Sequence, residues 1–229
     1  VNKLSEGGFG IEELERLKKH VNKKSKVLIV GTHIGSLAIP LSKHCSSITA
    51  IEANPKTFEL LEINLQLNNI ENITPHNIFA NDSNQKVEFL LNTVNSGGSK
   101  RKPQKSNFLY DYDNPEIIEL ESYLLDNYLP DHDYELVLMD IEGSEYFAMK
   151  GMEKILSNCK TLVVEFLPHH LKNVAGIDVD TFLSVLPGHF TAFELPDNKE
   201  KHNISEVKTI LQNMYDSNIG EDGIIFTSN

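Results

Sequence analysis

Apolar residues in this chain follow two rhythms, and their alternation predicts the architecture. Short apolar runs bounded by turn residues occur at 26–31 (KVLIVG), 46–52, 134–140, 160–168, 190–195 and 223–228, with a shorter stretch near 73–78. Runs of that length, rich in Val and Ile, read as strands buried on both faces. Between them lie stretches with helical spacing. Residues 11–22 set Ile11, Leu14, Leu17 and Val21 on one stripe, and 55–69 opens on Pro55 and carries Phe58, Leu61, Leu65 and Leu67. Further helices are expected at 36–44, 117–130, 144–156, 179–187 and 204–215. Residues 86–91 (KVEFLL) add a strand or hairpin arm outside this alternation.

Strands alternating with helices through both halves predict an α/β fold with an open, doubly wound, mostly parallel sheet. A chain of 229 residues fits one domain with insertions. The N-terminal helix 11–22 lies outside the sheet in this reading. The polar, Gly/Ser-rich segment 92–115 is read as a mobile loop insertion. Ligands on such sheets bind at the carboxyl ends of the strands, which directs attention to the residues just after each one.

Composition narrows the partners. With 21 basic and 33 acidic residues the net charge is −12, which argues against nucleic acid and against anionic membrane surfaces. No apolar run reaches the length of a membrane span. Two distant cysteines, Cys45 and Cys159, and the lack of a visible secretory leader fit reduced thiols in a cytoplasmic protein.

The first strand ends in the turn GTHIG, Gly31 to Gly35, and the second ends in Glu52, 21 residues after Gly31. A glycine turn lets backbone approach a ligand, and an acid at that distance can accept from both ribose hydroxyls. A dinucleotide fingerprint would place glycines at positions 31, 33 and 36, where the chain has Gly31, His33 and Ser36. A pyrophosphate cradle is therefore poorly supported, and an NAD-dependent oxidoreductase is disfavoured. S-adenosylmethionine, an adenosine without phosphate, fits better.

The strand 134–140 runs into MDIEGSE, with Asp140, Glu142 and Glu145, and the strand 160–168 runs into Glu165, His169 and His170. Acids at the ends of apolar strands are partly desolvated, so they are paired, ligating or catalytic. Methyl transfer to oxygen needs an aligned acceptor, a base for its proton and a dry site. Asp140, Glu142, Glu165 and His169 are the catalytic candidates. The same four residues offer an alternative, a divalent cation, which the lack of a tight ligand-spacing motif disfavours; no metal site is expected. Glu142 or Glu145 also suits the first turn of the following helix as a cap. The basic run 99–105 reads as a solvated loop, or as an attractor of anionic substrate.

Three segments together resemble the FkbM-type methyltransferases over about Lys26 to His169: VLIVGTHIGSLAIPL, AIEANPKTFELLEINLQLNN and LVLMDIEGSEYFAMKGMEKIL, followed by VVEFLPHH. The resemblance implies a Rossmann-like class I methyltransferase fold with seven strands, the last antiparallel. It implies S-adenosylmethionine as donor and O-methylation of a hydroxyl on a small molecule, sugar or natural product. Gly31, His33, Gly35, Glu52 and Asn54 would bind the cofactor, with Asn81 or Asp82 near the adenine, and Asp140 would face the methyl. The family often carries an acid two residues before the first glycine and an Asn in the turn, where this chain has Ile29 and His33. Those departures motivate an alternative, a non-catalytic binding or scaffold protein with the same fold. The identity of the acceptor and the oligomeric state are not legible.

Overall fold

The computed structural model describes residues 10–111, 114–196 and 200–228, and their strands form two sheets. In chain order the strands are β1 Lys26–Val30, β2 Ser47–Ile51, β3 Ile73–His76, β4 Phe79–Ala80, β5 Lys86–Leu91, β6 Lys100–Arg101, β7 Glu116–Tyr123, β8 Leu136–Met139, β9 Thr161–Phe166, β10 Ala192–Glu194, β11 Lys201–Asn203 and β12 Glu221–Thr227. The larger sheet has the order β11-β10-β12-β9-β8-β1-β2-β3. Its half from β9 to β3 is parallel throughout. The last strand, β12, runs antiparallel to both β9 and β10.

The fold is thus α/β with a mixed sheet, and that sheet has eight strands rather than seven. The additional edge strand, β11, pairs antiparallel with β10. Its sequence, Lys-His-Asn, has no apolar alternation to announce it; backbone pairing at a sheet edge makes it a strand. Residues 197–199 of the adjoining stretch lie outside the described residues, as do the first nine residues.

Each central strand sorts its side chains by parity. Leu28 and Val30 of β1 join one core cluster with Val137, Met139, Leu162 and Val164, while Val27 and Ile29 join a second with Ile48, Leu136, Leu138 and Val163. The apolar run is continuous because both faces are covered. Burying one such side chain contributes about 1.5–3 kcal/mol. Cys159 belongs to the first cluster and Cys45 to the second, so the two thiols are sealed in different layers. Among the described residues no helix is long and apolar enough to cross a membrane.

Several elements differ from the sequence expectation. The stretch 117–130 is mostly strand: β7 pairs antiparallel with β5, setting Ile118 against Phe89 and Leu120 against Val87. Only Leu125–Tyr128 is helical there. The N-terminal helix ends at Leu17 rather than residue 22, because Lys19 and His20 close i→i−3 bonds onto Arg16 and Leu17. The helix expected over 144–156 is two, Glu145–Lys150 and Glu153–Asn158. The break falls at Gly151, where a Cβ would stand 1.9 Å from the Asn81 carbonyl oxygen.

The smaller sheet, β4-β7-β5-β6, is built from the insertion after β3. Phe79, Val87, Phe89 and Leu91 make its apolar face, with Ala53 packed against them. Segment 92–115 contributes to it: a 3-10 turn at Ser96–Gly98, then β6, then helix Phe108–Asp111. Residues 112 and 113 of that segment lie outside the described residues.

Candidate functional site

The carboxyl ends of β1, β2 and β8 open into one cavity of about 490 Å³, within the size range of small-molecule sites. Gly31, His33, Glu52 and Asp140 all line it. Gly31 has φ +90, and a Cβ there would meet the Asp140 carbonyl oxygen at 1.8 Å. Glycine is therefore required where the first turn passes the end of β8.

Glu52 is 8% exposed. Its Oε2 accepts the backbone N–H of His33 and its Oε1 accepts that of Asn54, both at 2.8 Å. Burial raises its carboxyl above the ordinary value, and the N–H groups of Asn54, His33 and Ala53 pull the other way. His33 takes a left-handed φ of 52, and its Nε2 lies 2.8 Å from Ser96 Oγ in the insertion. Asn54 caps helix Pro55–Leu67 by accepting from Lys56 and Thr57, and its amide donates to Ser99 Oγ. Two turns of the main sheet are thereby tied to the insertion, whose Asn95, Ser96, Gly97 and Ser99 also line the cavity.

The acidic turn after β8 carries Asp140, Glu142, Gly143, Ser144 and Glu145. Asp140 lines the cavity and is exposed to solvent there, while protein crowds round its carboxyl. That enclosure, with the charges of Glu142 and Glu145, raises its carboxyl to about 8. Glu142 holds a left-handed φ of 57, an uncommon conformation for a residue other than glycine. Fully buried Glu145 accepts the N–H groups of Ile141 and Gly143 through Oε1, so it closes the turn. Ser144 Oγ is buried at the cavity wall without a hydrogen-bond partner among the described residues. Phe79 and Phe89, in edge-to-face contact, line the cavity together with Ile78 and Ala80.

Other expected site residues stand elsewhere. Gly35 lies beneath the first turn against Leu61, off the cavity wall. Asn81 is buried, donates to Ser122 Oγ and accepts from Arg101, while Asp82 pairs with Lys150 at 2.9 Å. Glu165 is buried behind the acidic turn, with Oε2 3.4 Å from His170 Nδ1. His169 is half-buried with Nδ1 3.0 Å from the Tyr110 hydroxyl. None of the last four lines the cavity.

Some contributors were not expected. Glu13, from the N-terminal helix, lines the cavity, and burial raises its carboxyl. The sequence shows it only as one acid in an amphipathic helix. Ser144, at the start of helix Glu145–Lys150, makes no capping bond with its side chain. The basic run 99–105 is not a uniformly solvated face: Lys100 is buried against Glu142, and the Arg101 guanidinium stacks 4.1 Å from the Phe147 ring centre. Lys102 does form an exposed pair with Glu88.

The cleft thus joins a clamped acid, an aromatic slot and an acid-rich rim. The family model described as the methyltransferase FkbM domain matches residues 30–208, well over half the chain. The methyltransferase FkbM from Methylobacillus flagellatus KT superposes with a TM-score of 0.51 at 17% identity, over 90% of this chain and 44% of that one. SMU.1697c of Streptococcus mutans, described as a methyltransferase and solved with SAH, gives 0.51 at 11% identity, over 95% and 96% of the two chains. An rRNA methylase from Streptococcus thermophilus gives 0.50 at 12% identity, over 94% and 93%. At these identities the likeness is one of fold. The chain spans less than half the length of the Methylobacillus protein. No curated protein sequence matches it.

Proposed function

The chain belongs to the FkbM methyltransferase family, and from that premise we propose that it transfers a methyl group from S-adenosylmethionine to a hydroxyl oxygen of a small molecule, sugar or other natural product. One observation carries the reading: the clamped Glu52 carboxylate and the raised Asp140 carboxylate face the same cavity.

The donor, when bound, supplies a methyl group activated on a sulfonium. Glu52 spends one lone pair of each oxygen on the turn and keeps the others for ribose hydroxyls. Phe79, Phe89 and Ile78 offer an apolar slot suited to a flat base. The partnerless Ser144 hydroxyl suits a polar atom of the donor, since a buried polar group without a partner is costly. A bound cation would favour the ionised forms of the Asp140 and Glu13 carboxyls, whose burial otherwise raises them, and would be held by that charge.

Transfer to a hydroxyl requires its proton to leave, and a carboxylate with a raised pKa is a better base at neutral pH than an ordinary one. Asp140 is the candidate on the cavity wall. Glu142 stands beside it on the same rim. Glu165 and His169 do not line the cavity and would act through neighbouring residues rather than on the acceptor.

Calorimetric titration with S-adenosylhomocysteine tests the donor half, and a mass-spectrometric screen of hydroxyl compounds with isotopically labelled donor tests the acceptor half. The expected result is saturable binding and a labelled methyl ether. A folded chain that binds neither form of the donor would sink the reading and favour the non-catalytic alternative.

A further inference from the structure

Beside the cavity, four polar side chains from distant parts of the chain converge. Lys100 Nζ lies 2.9 Å from Glu142 Oε2 and 3.3 Å from His170 Nε2, with the Tyr110 ring centre 5.1 Å away. His170 in turn sits 3.3 Å from Glu142 Oε2 and 3.4 Å from Glu165 Oε2. The Lys100 side chain is only 6% exposed and that of His170 3%. A lysine so buried requires a compensating site.

Glu142, Glu165 and His170 each offer a ligand atom within 4.8 Å of the other two. One imidazole and two carboxylates are a donor set that holds divalent transition metals. Yet the ammonium already stands within hydrogen-bonding distance of two of the three. We propose that these residues form a cation site that the protein fills with its own lysine, so that Lys100 takes the place of a divalent metal ion.

The chain path supports this. Lys100 comes from β6, which enters through pairing of Leu90 with Lys100 in the smaller sheet. The three ligand residues come from the turn after β8, from β9 and from helix Pro168–His170. The insertion therefore delivers one positive charge into a negative pocket of the larger sheet. Unlike an exchangeable ion, that charge is covalently held and immune to chelation. Lys100 acts on the cavity through Glu142, the one member of the group that lines it, and is a positioning residue.

Removing the ammonium should leave an unpaired anionic pocket that recruits a metal. The test is a Co²⁺ titration of the full chain and of its Lys100→Met and Lys100→Ala variants, read by visible absorption and by thermal shift. Either folded variant should bind Co²⁺ at least about tenfold more tightly than the unmodified chain. Adding Glu142→Gln and His170→Ala should abolish the gain. Folded variants that bind no better than the unmodified chain would overturn the proposal. So would an unmodified chain that already binds Co²⁺ as tightly as they do. Should both variants fail to fold, NMR of the lysine ammonium groups in the unmodified chain decides. One slowly exchanging ammonium in contact with the His170 ring is expected, and uniformly fast exchange would overturn the assignment. Neither measurement reads methyl transfer, so failure here leaves the proposed reaction standing.

Discussion

Glu52 accepts the backbone N–H of His33 at 2.8 Å, so the acid that ends β2 and the turn that ends β1 fix one another. The second oxygen does the same for Asn54, whose own side chain starts helix Pro55–Leu67. The turn after β1 and the start of helix Pro55–Leu67 thus meet on one carboxylate.

Glu52→Ala should weaken S-adenosylhomocysteine binding by about 1.5–3 kcal/mol, the worth of hydrogen bonds to a charged group. Glu52→Gln should fall between the two. Calorimetry on folded variants measures this, and unchanged affinity would remove Glu52 from the ribose.

Ser144→Ala separates ligand binding from stability. Its hydroxyl makes no hydrogen bond among the described residues, so the unfolding midpoint in urea should stay put or rise. Donor affinity should fall by about 0.5–1.5 kcal/mol, one ordinary hydrogen bond. A large loss of stability with no change in affinity would mean that the hydroxyl serves the fold.

Asp140 sets a pH signature. In the unfolded chain its carboxyl ionises near pH 4, whereas enclosure and the charges of Glu142 and Glu145 raise the folded value to about 8. Between those values the folded state holds a proton that the unfolded state has lost. Its contribution is full below the lower value and is lost as pH rises through the higher one. Asp140→Asn cannot ionise, so calorimetric melting should show it matching the native chain near pH 4 and exceeding it at about pH 9. Turnover should drop by roughly 10²–10⁴ if the carboxylate is the base. A melting difference that ignores pH would contradict the raised carboxyl.

Gly151→Ala tests the contact between the end of helix Glu145–Lys150 and the segment just after β4. The φ of −84 suits any residue, so only the 1.9 Å approach to the Asn81 carbonyl is at issue. Overpacking of this kind costs about 1–3 kcal/mol, or about 2–4 °C of Tm for each kcal/mol in a chain of this size. A thermal melt unchanged by the substitution would show that Asn81 can move aside.

The sequence is informative where one strand's neighbours do not matter. KVLIV identifies β1 because both its faces are covered, and Glu52 and Asp140 are found by position at strand ends. Residues 117–124 were ambiguous on their face. Ile117, Leu120 and Leu124 make a helical stripe, while Ile118, Leu120 and Ser122 alternate as a strand. Pairing with β5 decides for the strand, and the buried Ser122 hydroxyl is satisfied there, 2.8 Å from both the Ser83 and Gln85 carbonyls, either of which can accept its one proton. The aromatic slot was invisible because Phe79 and Phe89 come from different strands. Lys100 was hidden among basic neighbours of mixed burial: Lys102 and Lys105 are exposed and Arg101 is half-buried.

Sealing one thiol in each apolar layer gives the chain two native probes of opening. Burial pushes Cys45 up to about 11 and Cys159 up to about 12, so neither reacts appreciably while its layer stays shut. Alkylation at each would follow the breathing of its own side of the molecule, and a difference between the two rates would reveal which side loosens first.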